Sequence, residues 1–197
     1  MLFPFGTEIH LENERVKLEP LSLDHLPFLS PIAIQNPKLL QYSPSKFGTV
    51  SYLKDFIESH IELRIKHQRY PFAIFCKTLN KYAGSTSYLN ISNANQRLEI
   101  GSTWIGKDFQ RTGLNRNMKF LLMRYAFETL ECKRLEFKTD ARNLQSQKAI
   151  QAIGGIYEGT LRSHTVMSDG FRRDTVYYSV LPSEWPNIKQ SVFKSIL

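Results

Sequence analysis

Residues 110–116 read QRTGLNR, and this short run gathers groups that suit an anionic ligand. Arg111 and Arg116 carry full positive charges, and Lys107 and Lys119 lie close by in the chain. Gly113, without a Cβ, lets a ligand come close to the backbone. Gln110, Thr112 and Asn115 add short polar groups, and Leu114 begins an apolar stripe. Before the run stands LEIGSTWIGKDF, patterned as a strand; after it comes NMKFLLMRYAF, patterned as an amphipathic helix. A helix start carries unpaired N–H groups and about half a positive charge, which favours a phosphate or pyrophosphate. Many helix starts are basic and contain a glycine, so an ordinary turn stays open on these residues alone.

A second constellation follows in DARNLQSQKAIQAIGGIYEGTLR. Together, QRTGLN at a helix entrance and Asn143, Ser146, Ala149, Ile150, Gly154, Gly155, Glu158, Gly159 and Arg162 at this spacing resemble the two landmarks of the GNAT acyl-CoA N-acyltransferase superfamily. The tail SDGFRRDTVYYSVLPSEW resembles the last hairpin of its ribosomal-protein N-terminal acetyltransferase (Rim-type) branch. The likeness is strongest from Leu98 to Trp185 and weak before Tyr70.

The resemblance implies one N-acetyltransferase domain over residues 1–197, α+β in class. Its sheet would be mixed, mostly antiparallel, of about seven strands flanked by helices. The strand at 97–105 would splay from that at 134–139. Acetyl-CoA would be the acyl donor and a primary amine the acceptor. Pantetheine would lie in the gap as an added strand along Thr103, Trp104 and Ile105. Residues Gln110, Arg111, Thr112, Gly113, Leu114, Asn115 and Arg116 would hold the pyrophosphate. Asn143 and Ser146 would flank the pantetheine arm and thioester, with Lys148 towards the adenosine. In one departure, Asn115 stands where the signature has glycine or alanine; its amide can donate to a phosphate or crowd it.

Direct acyl transfer needs a neutral amine at the thioester carbonyl, so a base is called for. Glu99, in LEIGSTW, is the candidate base acting through water; a solvent-facing place on an alternating strand is the alternative. Ser146 is the candidate acid for the departing thiolate, by likeness to Rim-type enzymes; third in a helix capped by Asn143, it also fits a structural place. Tyr157 and Glu136 are weaker candidates, the first as sheet packing and the second as a surface strand residue. Tyr42, Phe47, Tyr52, Phe56 and Tyr70 precede the meander, where related enzymes shape the acceptor cleft, and packing accounts for most of them.

The elements that must position these groups follow from periodicity. RVKLEPL alternates as a strand, and SLDHLPFLSPIA reads as a short helix capped by Ser22 and broken by Pro27 and Pro31. TVSYLKDFIESHIELRIKHQ sets Leu53, Phe56, Ile57, Ile61 and Ile65 at helical spacing, leaving His60 and His67 on a solvated face. YPFAIFCK, YAGSTSYLNI and RLEIGSTWI form a meander through TLNK and SNANQ. Leu114, Met118, Leu121, Leu122, Tyr125 and Leu130 mark the next helix, RLEFKTD a strand, and Asn143 to Gly154-Gly155 a short helix. Two long strands close the chain around SDG.

Composition narrows the classes. The chain is 42% hydrophobic and 22% charged, as a globular protein is, and no apolar run reaches the roughly 18–20 residues of a membrane span. MLFPFGTEIH lacks a signal-peptide pattern, and Cys76 and Cys132 read as lone buried thiols; both suit the cytoplasm. The histidines make no metal-ligand spacing, so no metal site is expected. A net charge of +8 fits an anionic cofactor or an acidic partner. It also leaves an RNA-associated module as an alternative, beside a CoA-binding protein that has lost catalysis. The expected acceptor is a small amine or a protein N-terminus, with nucleic acid met only through the ribosome, and the protein a monomer or homodimer.

Overall fold

The computed structural model describes residues 1–196. Its strands, in chain order, are β1 (Leu11–Glu12), β2 (Val16–Pro20), β3 (Arg69–Cys76), β4 (Lys81–Ser92), β5 (Arg97–Ile105), β6 (Arg134–Asp140), β7 (Ile156–Val166) and β8 (Arg172–Val180). The helices are α1 (Leu26–Gln35), α2 (Val50–Ile65), α3 (Leu114–Arg124), α4 (Leu144–Gln151) and α5 (Trp185–Ser191). All the strands join one eight-stranded sheet in the order β1-β2-β3-β4-β5-β6-β8-β7. Only β5 and β6 pair in parallel; the other neighbours are antiparallel. The class is α+β, with a mixed, mostly antiparallel sheet.

Successive strand residues face opposite ways, and the helices divide accordingly. Trp104 packs on Phe47 and on Phe56 of α2, with ring centroids 5.0 and 6.3 Å apart. Thr103 turns to the other face, where it meets Lys119 of α3. Tyr88 shares that second face and donates its hydroxyl to the Leu122 carbonyl at 2.6 Å. α3 continues into a π-helical turn over Tyr125–Thr129. Cys76 and Cys132 are buried free thiols, and burial pushes the Cys132 thiol up to about 12.

Some expectations need correcting. The two-residue β1 raises the strand count to eight. It is too short to carry an alternation, and only its pairing with Leu18 and Lys17 of β2 defines it. The tail PSEWPNIKQS, which is too short to show a helical periodicity of its own, forms α5; Pro186 lies in its first turn, and Trp185 packs against Phe120, Phe127 and Phe193. α1 is not broken at its prolines. Pro27 lies in the first turn, where no N–H partner is required, and Pro31 forgoes a single intrahelical bond. His60 is not solvated: it is buried beneath the sheet on α2, whereas Ile65 is exposed.

The feature that positions the site is the parting of β5 from β6. Their register runs Arg97↔Arg134, Leu98↔Leu135 and Glu99↔Glu136, and there it ends. Beyond it, Ile100–Ile105 and Phe137–Asp140 face one another across a gap with no ladder between them. A β-bulge helps to open it. Ser85 pairs with Trp104 and Ser87 with Gly101, so Ser102 and Thr103 together oppose Thr86. Ser102 takes the extra residue's conformation at φ +50°.

Gly84 keeps this register. A Cβ there would lie 2.0 Å from the Trp104 carbonyl oxygen, a backbone atom that cannot swing aside. A Gly84→Ala variant is expected to lose about 2–3 kcal/mol of unfolding free energy. Urea denaturation with the native midpoint would show that β5 can give way without cost.

Candidate active site

Two helix starts flank the open end of the gap: α3 follows β5 and α4 follows β6. Between β5 and α3, a short turn at Lys107–Phe109 leads to Gln110, whose side-chain amide donates to the Ile105 carbonyl at 2.9 Å and ties the loop to the strand end. Arg111 adopts φ +61° and is exposed. Thr112 donates its hydroxyl to the Phe109 carbonyl at 2.7 Å. Gly113 is the N-cap residue, at φ +86°, and no side-chain cap closes the helix start. Of the first-turn N–H groups of α3, that of Leu114 reaches Thr112 Oγ1 at 3.4 Å, and those of Asn115 and Arg116 are left for an external acceptor. Leu114 is buried in the core, Asn115 is half-buried and Arg116 exposed at the same end. Arg15 also reaches the loop, its Nη1 donating to the Thr112 carbonyl at 3.4 Å. Nothing in its sequence neighbourhood announces this, since the contact spans most of the first half of the chain. The loop can bind a diphosphate through backbone N–H groups, a helix dipole and several cations.

At the α4 start, Asn143 caps the helix by accepting from the Ser146 N–H at 3.0 Å. Gln147 secures the same turn, donating to the Ala141 carbonyl at 2.8 Å. Ser146 is half-buried and Lys148 exposed. Beside the gap, Trp104 Nε1 is buried with no partner among the described residues. Such an orphaned donor in a native core points to a polar group not supplied by the chain itself.

Where the two strands diverge, on the α2 side, Glu99 is 4% exposed, which removes the solvent-facing alternative. Its carboxylate accepts from Asn90 Nδ2 at 2.7 Å and pairs with Lys138 Nζ at 2.8 Å. Gly101 leaves the space it needs, since a Cβ there would come within 2.9 Å of Oε1. Asn90 reaches it from a second bulge in β4, at φ +50°. The Arg69 guanidinium lies close enough to feel the Glu99 charge, which opposes the lowering of its pKa by burial. Arg69, Asn90 and Lys138 lie on three different strands, so no local spacing in the sequence could have grouped them with Glu99.

Two weaker candidates fall elsewhere. Glu136 is not a surface residue; it is buried and held by Arg97 at 3.1 Å and Arg134 at 2.8 Å. Tyr157 is 55% exposed on β7 and meets Tyr178 edge-on. A polar cleft of about 530 Å³ opens beside Glu136, Lys138, Asn90, Arg97 and Tyr177. The aromatic segment before the meander divides. Phe56 and Tyr70 are core, whereas Tyr42 belongs to a strap. Arg173 donates to the Tyr42 carbonyl at 2.8 Å, and the Arg142 guanidinium lies 3.9 Å from the Phe171 ring centroid and 5.7 Å from that of Tyr42. The strap joins the α1–α2 loop to the β7–β8 turn.

His60 braces the bulge. Its Nδ1–H donates to the Phe56 carbonyl at 2.7 Å, so Nε2 is left to accept, with Ser102 Oγ at 3.1 Å and the Arg69 guanidinium beside it. Burial, then the Arg69 charge, push its pKa down to about 3. The folded value lies below the unfolded one, so the unfolded chain binds the extra proton. Stability from this group is complete above about pH 6.5 and is lost as pH falls towards 3, at ~1.4 kcal/mol per unit. A His60→Gln variant is expected to show a shallower loss of stability between pH 6.5 and 4, by about one proton's slope. Parallel curves for the two proteins would refute a neutral buried imidazole.

A model of the acetyltransferase (GNAT) domain matches residues 15–156. A crystal structure of a provisionally named acetyltransferase from T. thermophilus shares 33% identity with the chain, covers 100% of both chains and superposes with a TM-score of 0.88. YdaF of Bacillus subtilis (strain 168), provisionally named a ribosomal N-acetyltransferase, is 35% identical over 106 residues, which are 54% of this chain and 57% of YdaF. Mycobacterium smegmatis RimJ, solved in complex with CoA-disulfide, shares the fold at a TM-score of 0.78 and 17% identity, over 96% of this chain and 94% of RimJ. With the parted parallel strands and the two helix starts at their open end, these matches place the chain in the GNAT acetyltransferase family, as an N-acetyltransferase.

Proposed function

We propose that the protein, acting as a single domain, transfers an acetyl group from acetyl-CoA directly to a primary amine. The observation that carries this is the gap between β5 and β6, with the uncapped α3 start at its mouth. Pantetheine would lie along Thr103, Trp104 and Ile105, the pyrophosphate on residues 110–116 and Arg15, and the adenosine end towards Lys148. Gln110 would act indirectly, by tying the loop to Ile105. Leu114 would anchor the helix from the core, and Asn143 would fix the turn that presents Ser146. RimJ binding CoA-disulfide in this fold supports the donor.

Glu99 would take the amine's proton through water while Lys138 and Asn90 hold its carboxylate in place. The leaving thiolate needs a proton in turn, for which the Ser146 hydroxyl is one source. The acceptor we favour is a ribosomal amine, a class that includes protein N-termini, supported by the name of YdaF as a ribosomal N-acetyltransferase; such an acceptor would put the reaction in the cytoplasm. A small amine is the other acceptor class.

The test is thiol release from acetyl-CoA with panels of amines and peptide N-termini, with calorimetry of acetyl-CoA in parallel. The expected result is binding in the micromolar range and acceptor-dependent release. Binding without release to any acceptor would mark a CoA-binding protein without catalysis. RNA affinity that falls steeply with salt and ignores acetyl-CoA would point instead to the basic surface.

A further inference from the structure

Lys119 is a buried charge without a counter-charge. It lies in the second turn of α3, 7% exposed, and joins none of the ion pairs among the described residues. Its Nζ donates to Thr103 Oγ1 at 3.0 Å and lies 5.9 Å from the centroid of the Phe137 ring. Thr103 is on the bulge of β5, and Phe137 is the first β6 residue beyond the last β5–β6 pair. The ammonium therefore reaches towards the gap from the α3 side, close to where the strands diverge, opposite the face that holds Glu99.

Taking an ammonium out of water costs several kcal/mol unless charge or good hydrogen bonding compensates, and one hydroxyl does so poorly. Packing alone would be served by leucine or methionine at this position. The groups that face Nζ are few. From β4 comes Thr86, whose Oγ1 is 2.8 Å from Thr103 Oγ1; from β5 come Thr103 and, across the strand, the charge of Glu99; from β6 comes the Phe137 ring. Tyr88, on the same face, gives its proton to the Leu122 carbonyl, and burial holds its pKa well above the usual value. Burial pushes the Lys119 pKa down to about 7, against the opposing pull of Glu99. The group can therefore exchange a proton near neutrality. Thr103 Oγ1 accepts from Lys119, and its own proton, which lies towards the Gly101 carbonyl at 3.5 Å or Thr86 Oγ1 at 2.8 Å, can turn to a group in the gap.

We propose that Lys119 supplies the proton to the thiolate that leaves on acetyl transfer, through the Thr103 hydroxyl; this rests on the gap being the acetyl-CoA site. The amine nitrogen bonds to the thioester carbon, the C–S bond breaks and sulfur keeps the electron pair. The Thr103 hydroxyl proton passes to sulfur, an Nζ proton passes to the Thr103 oxygen, and neutral Lys119 regains its proton from solvent after CoA departs. The proton lost by the amine leaves through water and Glu99. Lys119 is thus a positioning and proton-supplying residue that acts through Thr103.

The test combines kinetics with a direct view of the lysine. Lys119→Met and Thr103→Val are each expected to lower kcat at pH 7 by about 10²-fold. KM for acetyl-CoA should stay within about threefold, and Thr103→Ser should restore most of the rate. In the native protein, a 13C-labelled lysine side-chain resonance, absent from Lys119→Arg, should titrate near neutral pH. CoA should move that titration, and desulfo-CoA, which lacks the sulfur, should not. Full kcat in Thr103→Val, or a lysine that responds equally to CoA and desulfo-CoA, would overturn the proposal. So would a rate loss found only in Ser146→Ala, which would assign the proton to α4. If Lys119→Met does not fold, the Thr103 pair and the native titration still decide. Failure of CoA to bind the native protein would overturn the proposed function as well; binding without any dependence on sulfur overturns the relay alone.

Discussion

A Gly113→Val variant is expected to lose acetyl-CoA affinity by about 10²–10³-fold, the worth of roughly two charge-assisted hydrogen bonds. The cause would be conformation rather than crowding within the protein. Gly113 sits at φ +86°, and a Cβ there would meet no atom closer than Arg15 Nη1 at 3.8 Å. A β-branched residue is a steric outlier at that φ, so the peptide would rotate and carry the first-turn N–H groups of α3 out of line. Asparagine tolerates positive φ, which makes Gly113→Asn the control, expected to bind within about tenfold of native. Calorimetry on both variants separates the two causes. Equal losses would mean that the ligand itself needs the space above Gly113, and native affinity in Gly113→Val would remove the loop from the site. Asn115 enters here as well. It is half-buried rather than folded into the core, so its amide stands at the same helix end as the free N–H groups.

A Glu99→Gln variant is expected to show two separable effects. Turnover at pH 7 should fall by about 10²–10³-fold while acetyl-CoA affinity holds, because a base is removed and the donor's bed is untouched. Stability should fall too, by about 1–3 kcal/mol, because the half-buried Lys138 ammonium would lose its carboxylate partner. A Lys138→Met, Glu99→Gln double variant should recover much of that stability and none of the turnover. The split between turnover and affinity gives the sharper criterion: kcat should fall while the Kd for acetyl-CoA stays native. Full rate in Glu99→Gln would make Glu99 one half of a structural ion pair and nothing more.

Local pattern carried much of the fold. The meander, the apolar stripe of α3 and the capped start of α4 each depend on spacing within a dozen residues, and each stands where its periodicity places it. Local pattern failed where the deciding contact is distant. For His60 the spacing from Leu53, Phe56 and Ile57 already marks the buried stripe of α2; its polarity suggests a solvated face, and its partner Ser102 on β5 is distant in the chain. Glu136 reads as a surface residue of a short strand until Arg97, on the neighbouring strand, closes over it. Pro31 reads as a break in α1, yet the loss of one hydrogen bond is small beside the burial of Leu29, Ile32 and Ala33.

By itself the sequence determined which backbone would be presented to a ligand. A glycine that can hold positive φ, arginines around it and an apolar stripe behind it are local properties, and they suffice to write an anion seat at residues 110–116. Only the tertiary structure decided what surrounds the reacting atoms. The Glu99 carboxylate, the Lys138 and Arg69 charges beside it, the His60 brace and the Lys119 ammonium come from β3, β5, β6, α2 and α3. They meet because a bulge and a broken parallel ladder hold β5 and β6 apart at the centre of the sheet. Burial, which shifts proton affinities and gives buried charges their force, belongs to the packed molecule and to no segment of the chain.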